Sequence, residues 1–582
     1  QDDPYQFAMR WEGSVLAPDT GEYEFIVRTE HATRLWINDL RQPVIDAFVK
    51  SGSDTEYRAS VFLIGGRVYP LRLEFSKANQ GVDDTDKLKD RPVAKASLAL
   101  EWKLPNRAAE VIPQRSLIPV SSPETFVLAA PFPPDDRSLG YERGASISRD
   151  WDEATTEAAF ETAGYVAGRL RELSGVPDDA PDRAARLREF CRKFVERAFR
   201  RPLTPELEKV FVERQFGAAE PEVAVKRVVL LALKSPRFLY REIGTGQADQ
   251  YDVAARLSFG LWDSLPDEEL LKAAAAGELA TREQVVRQAE RMLPDLRTRA
   301  KLGEFFMQWL KVEQTPDLAK DPKRFPGFDE AVASDLRTSL ELSLEAIAWS
   351  ERSDLRELLL SDKVYLNGRL AKIYGVNLPA DAPFQPVSLD PSQRAGVVTH
   401  PYLMASFAYI DTSSPIHRGV MIARGLLGRM LQPPPEAFTP VPASLHPDLT
   451  TRQRVAMQTR PAACKSCHDM INPLGFTLER FDAIGRLRVR DNGLAVNTEG
   501  SYESRIGKAV KFNGGRDLAT YLAQSDEVHS AFVEKLFHHL VKQPVRAFGP
   551  QAQPELERAF AANGFNMRKQ LVQTMAVSAL KR

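Results

Sequence analysis

The hydrophobic pattern of this chain changes period partway along, and that change fixes the fold class before any other feature does. From Met9 to about Ile118 apolar residues recur at every second position. Tyr23, Phe25 and Val27 share a face, as do Tyr69, Leu71, Leu73 and Phe75, and then Leu98, Leu100 and Trp102, with the turn signals APDTGE and IGGR between. Residues 1–118 therefore read as an all-β barrel or sandwich. The text then turns proline-rich, beginning PVSSPETFVLAAPFPPDD, which suits an ordered linker over residues 119–150. After it the period is 3.6, and the rest of the chain reads as mostly α-helical domains.

Helices are expected at Thr155 to Leu173, Ala184 to Arg200, Pro205 to Phe216 and Pro221 to Lys234, where Thr204 before Pro205 supplies an N-cap with proline in the first turn. Further segments run at Val253 to Trp262, Glu268 to Ala276, Thr281 to Leu293, Thr298 to Leu310, Phe328 to Ser350 and Leu355 to Leu360. A new unit begins near Arg394 with helices at Ala395 to Ala408 and Pro415 to Leu431, and three helices close the chain: Arg516 to Ala523, Val528 to Lys542 and Asn566 to Leu580. The division this suggests is two helical domains at 151–245 and 246–378, a cysteine-bearing domain at 379–500 and a C-terminal helical domain at 501–582.

A length of 582 residues agrees with several domains. Lys plus Arg is 78 and Asp plus Glu is 79, so no global field selects nucleic acid or an anionic membrane. No apolar run is long enough to span a bilayer, so no transmembrane segment is expected. The chain opens QDDPYQ without a cationic-then-apolar leader, so any export signal is expected to have been removed or to lie before residue 1.

There are three cysteines, too few for a disulfide framework. Cys191 sits among Leu187, Phe194, Val195 and Ala198 at helical spacing and reads as a small buried hydrophobe. The other two fall together in AACKSCHDMINPLGF, where Cys464 and Cys467 are followed at once by His468. Zinc would need a second close ligand pair, and no further cysteine follows. A thioredoxin-like redox pair would follow a strand, whereas this one follows the helical TTRQRVAMQT. Covalent attachment of haem c accounts for each residue type: two thiols for the two vinyl groups, and a histidine as proximal iron ligand. A backbone carbonyl near Asn472 and Pro473 is expected to fix that imidazole's tautomer. Haem attachment of this kind is normally extracytoplasmic, so the motif also supplies a location: periplasm, cell surface or exterior.

For the sixth iron position Met404 ranks first, because a methionine on an apolar helix of the same domain faces haem without desolvating a polar group. His400 and His417 are the other candidates in that domain, and His538, His539, Met567 and Met575 lie in the closing helices. Arg418 and Arg486 are candidates to pair with haem propionates.

The segments FCRKFVERAFRRPLTPELE, LALKSPRFLYRE, LSFGLWDSLPDEELL, VYLNGRLAKIYGV, SSPIHRGVMIARGLLGRMLQPPP and CKSCHDMINPLGFTLERFDAIGRLR occur in this order. Together they resemble the large planctomycete-type cytochrome c proteins built from several domains of unknown function. That resemblance runs from about Pro131 to the C-terminus and implies a secreted mono-haem protein on a helical scaffold. The stretch MRWEGSVLAPDTGEYEFIVRTEHATRLWINDLRQPVID, continuing to Trp102, resembles the protective-antigen-type β-barrel module of toxins, adhesins and glycosidases. Some of its members bind sugars through calcium held by paired aspartates just before the segment that here reads RLWIND. Thr29, Glu30 and His31 stand in that place, so calcium-dependent lectin activity does not carry over. Asp83, Asp84 and Asp86 offer hard oxygens to calcium, but Lys87 and Lys89 beside them favour a solvated loop. Asp135, Asp136 and Glu142 read as capping and salt-bridge residues rather than an acid and base pair.

The expected function is that of a c-type cytochrome passing electrons to or from a redox partner protein, with the β module attaching it to a glycan or another protein. The alternatives are a haem peroxidase or oxidase acting on a glycan, and an adhesion protein in which haem stabilises the fold.

Overall fold

The computed structural model describes residues 7–49, 53–77, 95–137, 141–142, 148–217, 220–241, 248–312, 318–431 and 445–581. The aspartates of the 83–86 loop lie outside them. The N-terminal residues form two antiparallel sheets, as the period of two requires. One has the order β4-β3-β6-β1-β9, from β1 (Phe7–Ala17), β3 (Ala32–Ile37), β4 (Ile45–Ala47), β6 (Arg67–Lys77) and β9 (Leu117–Ile118). The other has the order β5-β2-β7-β8, from β2 (Gly21–Arg28), β5 (Glu56–Leu63), β7 (Ala99–Lys103) and β8 (Ala109–Val111). Val15, Leu35, Leu73 and Phe75 bury one face of the first sheet, and Tyr23, Phe25, Val27 and Trp102 one face of the second. The all-β start and the mostly helical remainder are both as the sequence indicates.

The chain gathers into two compact units. The first comprises residues 1–125, 302–532 and 562–568, and the second 126–301, 533–561 and 569–582. In the second, Cys191 is buried in a cluster with Leu187, Val195, Phe199, Val225 and Val228, and burial pushes its thiol up to about 12, as befits an inert core residue. Thr204 caps the helix Pro205–Phe211 by accepting from the Leu207 amide. Glu142 takes an ion pair from Lys542 at 3.1 Å and another from Arg137, in keeping with a salt-bridge role.

Several expectations fail locally: Thr155 to Leu173 is split at Arg169, and Pro415 to Leu431 passes from an α-helix into a π-helix at Met421. The helix expected from Ala395 to Ala408 is broken: a 3₁₀ turn Val397–Thr399 and a helix Pro401–Ser406 meet at His400, whose backbone is extended (φ −60°, ψ 133°). Pro401 imposes this, since its ring disfavours helical backbone in the residue before it. The closing helices are four rather than three among the described residues, because Ala552–Ala562 forms one more.

In the first unit β10 (Lys363–Leu366) pairs with β11 (Gln385–Ser388) as a hairpin around the helix Gly368–Tyr374. Residues 562–568 lie beside 350–356: Leu355 donates its amide to the Phe565 carbonyl at 3.0 Å, and Met567 donates to Ser353 at 2.8 Å.

Candidate functional site

The cysteines lie in the helix Ala462–Phe476, which begins after an extended Pro461, a residue that fits a helix start because it has no amide to leave unpaired. Cys464, Cys467 and His468 stand at i, i+3 and i+4, so all three side chains share one helix face. Both thiols are free and half-buried.

Hydrogen bonds fix the state of His468. The Thr459 hydroxyl donates to the Val455 carbonyl at 2.8 Å, so its oxygen can only accept from Asn472, whose Nδ2 lies 2.7 Å away. That orients the buried Asn472 amide, and its Oδ1 therefore faces His468 Nδ1 at 2.9 Å as an acceptor. Nδ1 carries the proton. In the neutral ring this leaves the lone pair on Nε2, the form a metal requires. The acceptor is thus the Asn472 side chain rather than a backbone carbonyl.

Two glycines set the surroundings of this helix. A Cβ on Gly475 would lie 1.8 Å from the Pro415 carbonyl oxygen, and one on Gly419 would lie 2.0 Å from that of Ile471. The helix Pro415–Val420 and the cysteine helix thus touch backbone to backbone, antiparallel. On another side Gly500 of the strand Glu499–Glu503 approaches the Pro473 carbonyl, where its Cβ would stand at 2.2 Å.

Arg418, Met404 and Arg486 gather at the far end of the cysteine helix, which rises roughly 12 Å from His468 to Phe476 at about 1.5 Å per residue. Arg418, fully buried, donates to the carbonyls of Leu478 (3.0 Å), Phe481 (2.7 Å), Asp482 (2.7 Å) and Met404 (2.9 Å). Its guanidinium clamps the loop after the helix and is not free for a propionate. Met404 is enclosed in the same cluster, fully buried, rather than beside the cysteines. Arg486 is bound to Asp482 at 2.9 Å and lies over the Phe325 ring. His400 serves as an N-cap: Nδ1 accepts from the Tyr402 amide at 3.2 Å, which leaves Nε2–H to face the Ser339 hydroxyl at 3.3 Å. His417 is exposed, with its ring 5.1 Å from that of Tyr409. His538, His539 and Met575 belong to the second unit.

Sequence reasoning missed a buried ion network behind the helix. Glu479 accepts from Ser413 (3.0 Å) and Arg488 (2.8 Å), Arg488 also reaches Asp491 (3.0 Å), and Asp491 accepts from the Thr451 amide (2.5 Å). Burial raises the Glu479 carboxyl above its ordinary range against the pull of Arg488 and Arg418. The network pins the helix Thr451–Gln458, and hence Thr459, to the loop after the cysteine helix. His446 and Met457, the first half-exposed and the second exposed in the approach to the cysteines, were also missed as candidate ligands. Their proximity in sequence was the available signal.

In the β module Thr29 donates to the Ser97 carbonyl at 2.8 Å and the His31 ring stands edge-on to Phe75, so no aspartate pair occupies that place.

Three family models match the chain. Residues 1–116 match the PA14 domain, residues 248–376 a protein of unknown function (DUF1592), and residues 394–491 a protein of unknown function (DUF1588). These matches agree with the domain content of planctomycete-type cytochrome c proteins and with a protective-antigen-type module. Cys464, Cys467 and His468 lie inside the last match. No curated protein matches. Among solved structures, an anti-sigma factor domain-containing protein is similar at 26% identity over 19% of this chain and 33% of its own, with TM-score 0.16. Another, from Clostridium clariflavum, is 21% identical over 22% of this chain and 36% of its own, with TM-score 0.15. The chain thus spans about a third of the length of these structures. Among the described residues no helix is long and apolar enough to cross a membrane.

Proposed function

We propose that this chain is an extracytoplasmic c-type cytochrome that transfers electrons, carrying one haem on Cys464 and Cys467 with His468 on the iron. The observation that supports it most is the hydrogen-bond chain Val455–Thr459–Asn472–His468, which engages Nδ1 and leaves Nε2 as the nitrogen available to a metal, on the same helix face as two free thiols. The donor set fits the group: two reduced sulfurs and a neutral imidazole at the spacing haem c requires. Bound haem supplies one-electron redox chemistry. The chain's own contribution is to hold the imidazole by Asn472, hold Asn472 by Thr459, and hold Thr459 through the buried Asp491–Arg488–Glu479 network. The PA14 match supports a role for the β module in attachment to a glycan or a protein surface, and a redox partner protein completes the electron path.

The test is to export the chain from a host that attaches haem c and weigh the mature protein. One added haem per chain is expected, and none in Cys464→Ala/Cys467→Ala. Wild-type protein exported with unmodified thiols refutes the reading.

A second reading, a haem enzyme with an open sixth position, is favoured by the full burial of Met404 in the cluster around Arg418 and by the hydrogen bonds that hold the His400 ring. A high-spin ferric spectrum with rapid peroxide turnover selects the enzyme, and a low-spin spectrum inert to peroxide selects the carrier.

A further inference from the structure

A cleft of about 720 Å³ opens in the first unit, between the helix Glu330–Ala348, the short helix Leu355–Leu360, the β10–β11 hairpin and the end of the helix Gly515–Gln524. That volume falls within the ~300–1,000 Å³ of small-ligand sites. Its floor is apolar and built. Tyr365 and Pro386 are directly opposed across the hairpin, so ring and pyrrolidine form one surface, with half-buried Ile347 and Leu360 beside them.

Its rim is charged but neutralised. Arg352, Arg356 and Lys363 line it together with Asp354, Glu357 and Asp362, three cations and three carboxylates that balance in sum. Arg356 grips Asp354 with two nitrogens at 2.7 and 3.0 Å, and Arg352 stands 3.4 Å from Glu357 and 3.6 Å from Asp354. At the two arginines an anionic ligand would have to displace these carboxylates, and a cationic one would have to displace the arginines. A neutral ligand need displace neither. The exposed Gln524 amide offers a neutral donor and acceptor, and the half-buried Ser343 hydroxyl, which donates to the Ser339 carbonyl at 2.7 Å, can still accept. The rim is also pre-set: Asn566 donates to the Arg352 carbonyl at 2.6 Å and Arg568 to the Ser350 carbonyl at 2.5 Å, so little ordering remains for a ligand to impose.

An apolar aromatic floor under a charge-balanced, hydrogen-bonding rim matches a molecule with one apolar face and a polyhydroxylated edge. We infer that this cleft binds a short segment of neutral oligosaccharide, with a sugar ring stacked on Tyr365 and Pro386 and its hydroxyls meeting the rim. The site is separate from the β module and does not depend on the haem reading.

Isothermal titration of the full-length protein with neutral tetrasaccharides (cello-, xylo-, laminari- and chitotetraose) tests this. At least one is expected to bind saturably. Ala346→Arg, which fills the cleft from an exposed helix position, should weaken that binding tenfold or more with an unchanged melting temperature, and Tyr365→Ala should abolish it. If none of the four binds, or if the sugar binds Ala346→Arg as well as wild type, the inference is overturned. Binding of inorganic phosphate or a neutral tetrapeptide in place of every sugar overturns it too.

Discussion

Asn472 and His400 show how differently two sites use neighbouring polar groups. Asn472 accepts the Nδ1 proton of His468 and so raises the electron-donating power of Nε2. Asn472→Ala is therefore expected to keep haem attached but raise its midpoint potential, measured by spectroelectrochemical titration; an unchanged potential removes this role from Asn472. His400 is held neutral, and burial together with nearby Arg394 pushes its imidazole down to about 3. The unfolded chain takes up that proton near pH 6.5, so between about 6.5 and 3 the unfolded state binds more protons and stability falls as pH falls. His400→Asn keeps a capping group without the titration. Its urea midpoint should drop less than that of wild type between pH 7 and 5, and equal drops would contradict the assignment. The cysteines and His468 were legible as residues because a rare type recurs at fixed offsets. The Thr459–Asn472 bond was not, since it joins side chains 13 positions apart across a turn whose geometry no local pattern encodes.

Among the elements, the contact between the cysteine helix and the helix Pro415–Val420 depends on absent side chains. Alanine normally improves on glycine inside a helix by about 1 kcal/mol, but at Gly475 its Cβ would sit 1.8 Å from the Pro415 oxygen. Gly475→Ala should therefore destabilise, by about 1–3 kcal/mol or more, as overpacked interiors do. The loss would be read as a lower denaturation midpoint, whereas a gain would mean the helices part freely. Element types were legible where period and caps agreed, as at Thr204 with Pro205 and at Leu355–Leu360, whose ends match the expected ones. The break at His400 was legible in Pro401 yet was overridden by the apolar pattern on either side. The β10–β11 hairpin was not legible, because its strands are four residues each and a helix separates them.

In the molecule as a whole, the β module meets the helical part of its unit through the buried cation Arg107, beside an exposed ion pair of Lys103 with Glu330 at 3.5 Å. Arg107 reaches Asp19 at 2.8 Å, Glu341 at 2.6 Å and the Thr338 hydroxyl at 3.3 Å. Arg107→Ala removes one of the two guanidinium partners of Glu341, Arg337 remaining at 3.1 Å, a loss of about 1–3 kcal/mol. Limited proteolysis should then release residues 1–118 faster than from wild type, and an unchanged digestion pattern would show that the joint lies elsewhere. The order of β and helical parts could be read from the change of period, but this joint could not, since it pairs residues more than two hundred positions apart. The same kind of distance governs the segment 562–568 beside 350–356. The rim around Arg352 and Asp354 acquires its backing only from residues near the far end of the chain. During synthesis, then, the cleft stays unfinished until some two hundred residues beyond its rim have emerged, and a product cut short before residue 562 would have the floor of a sugar site without its frame.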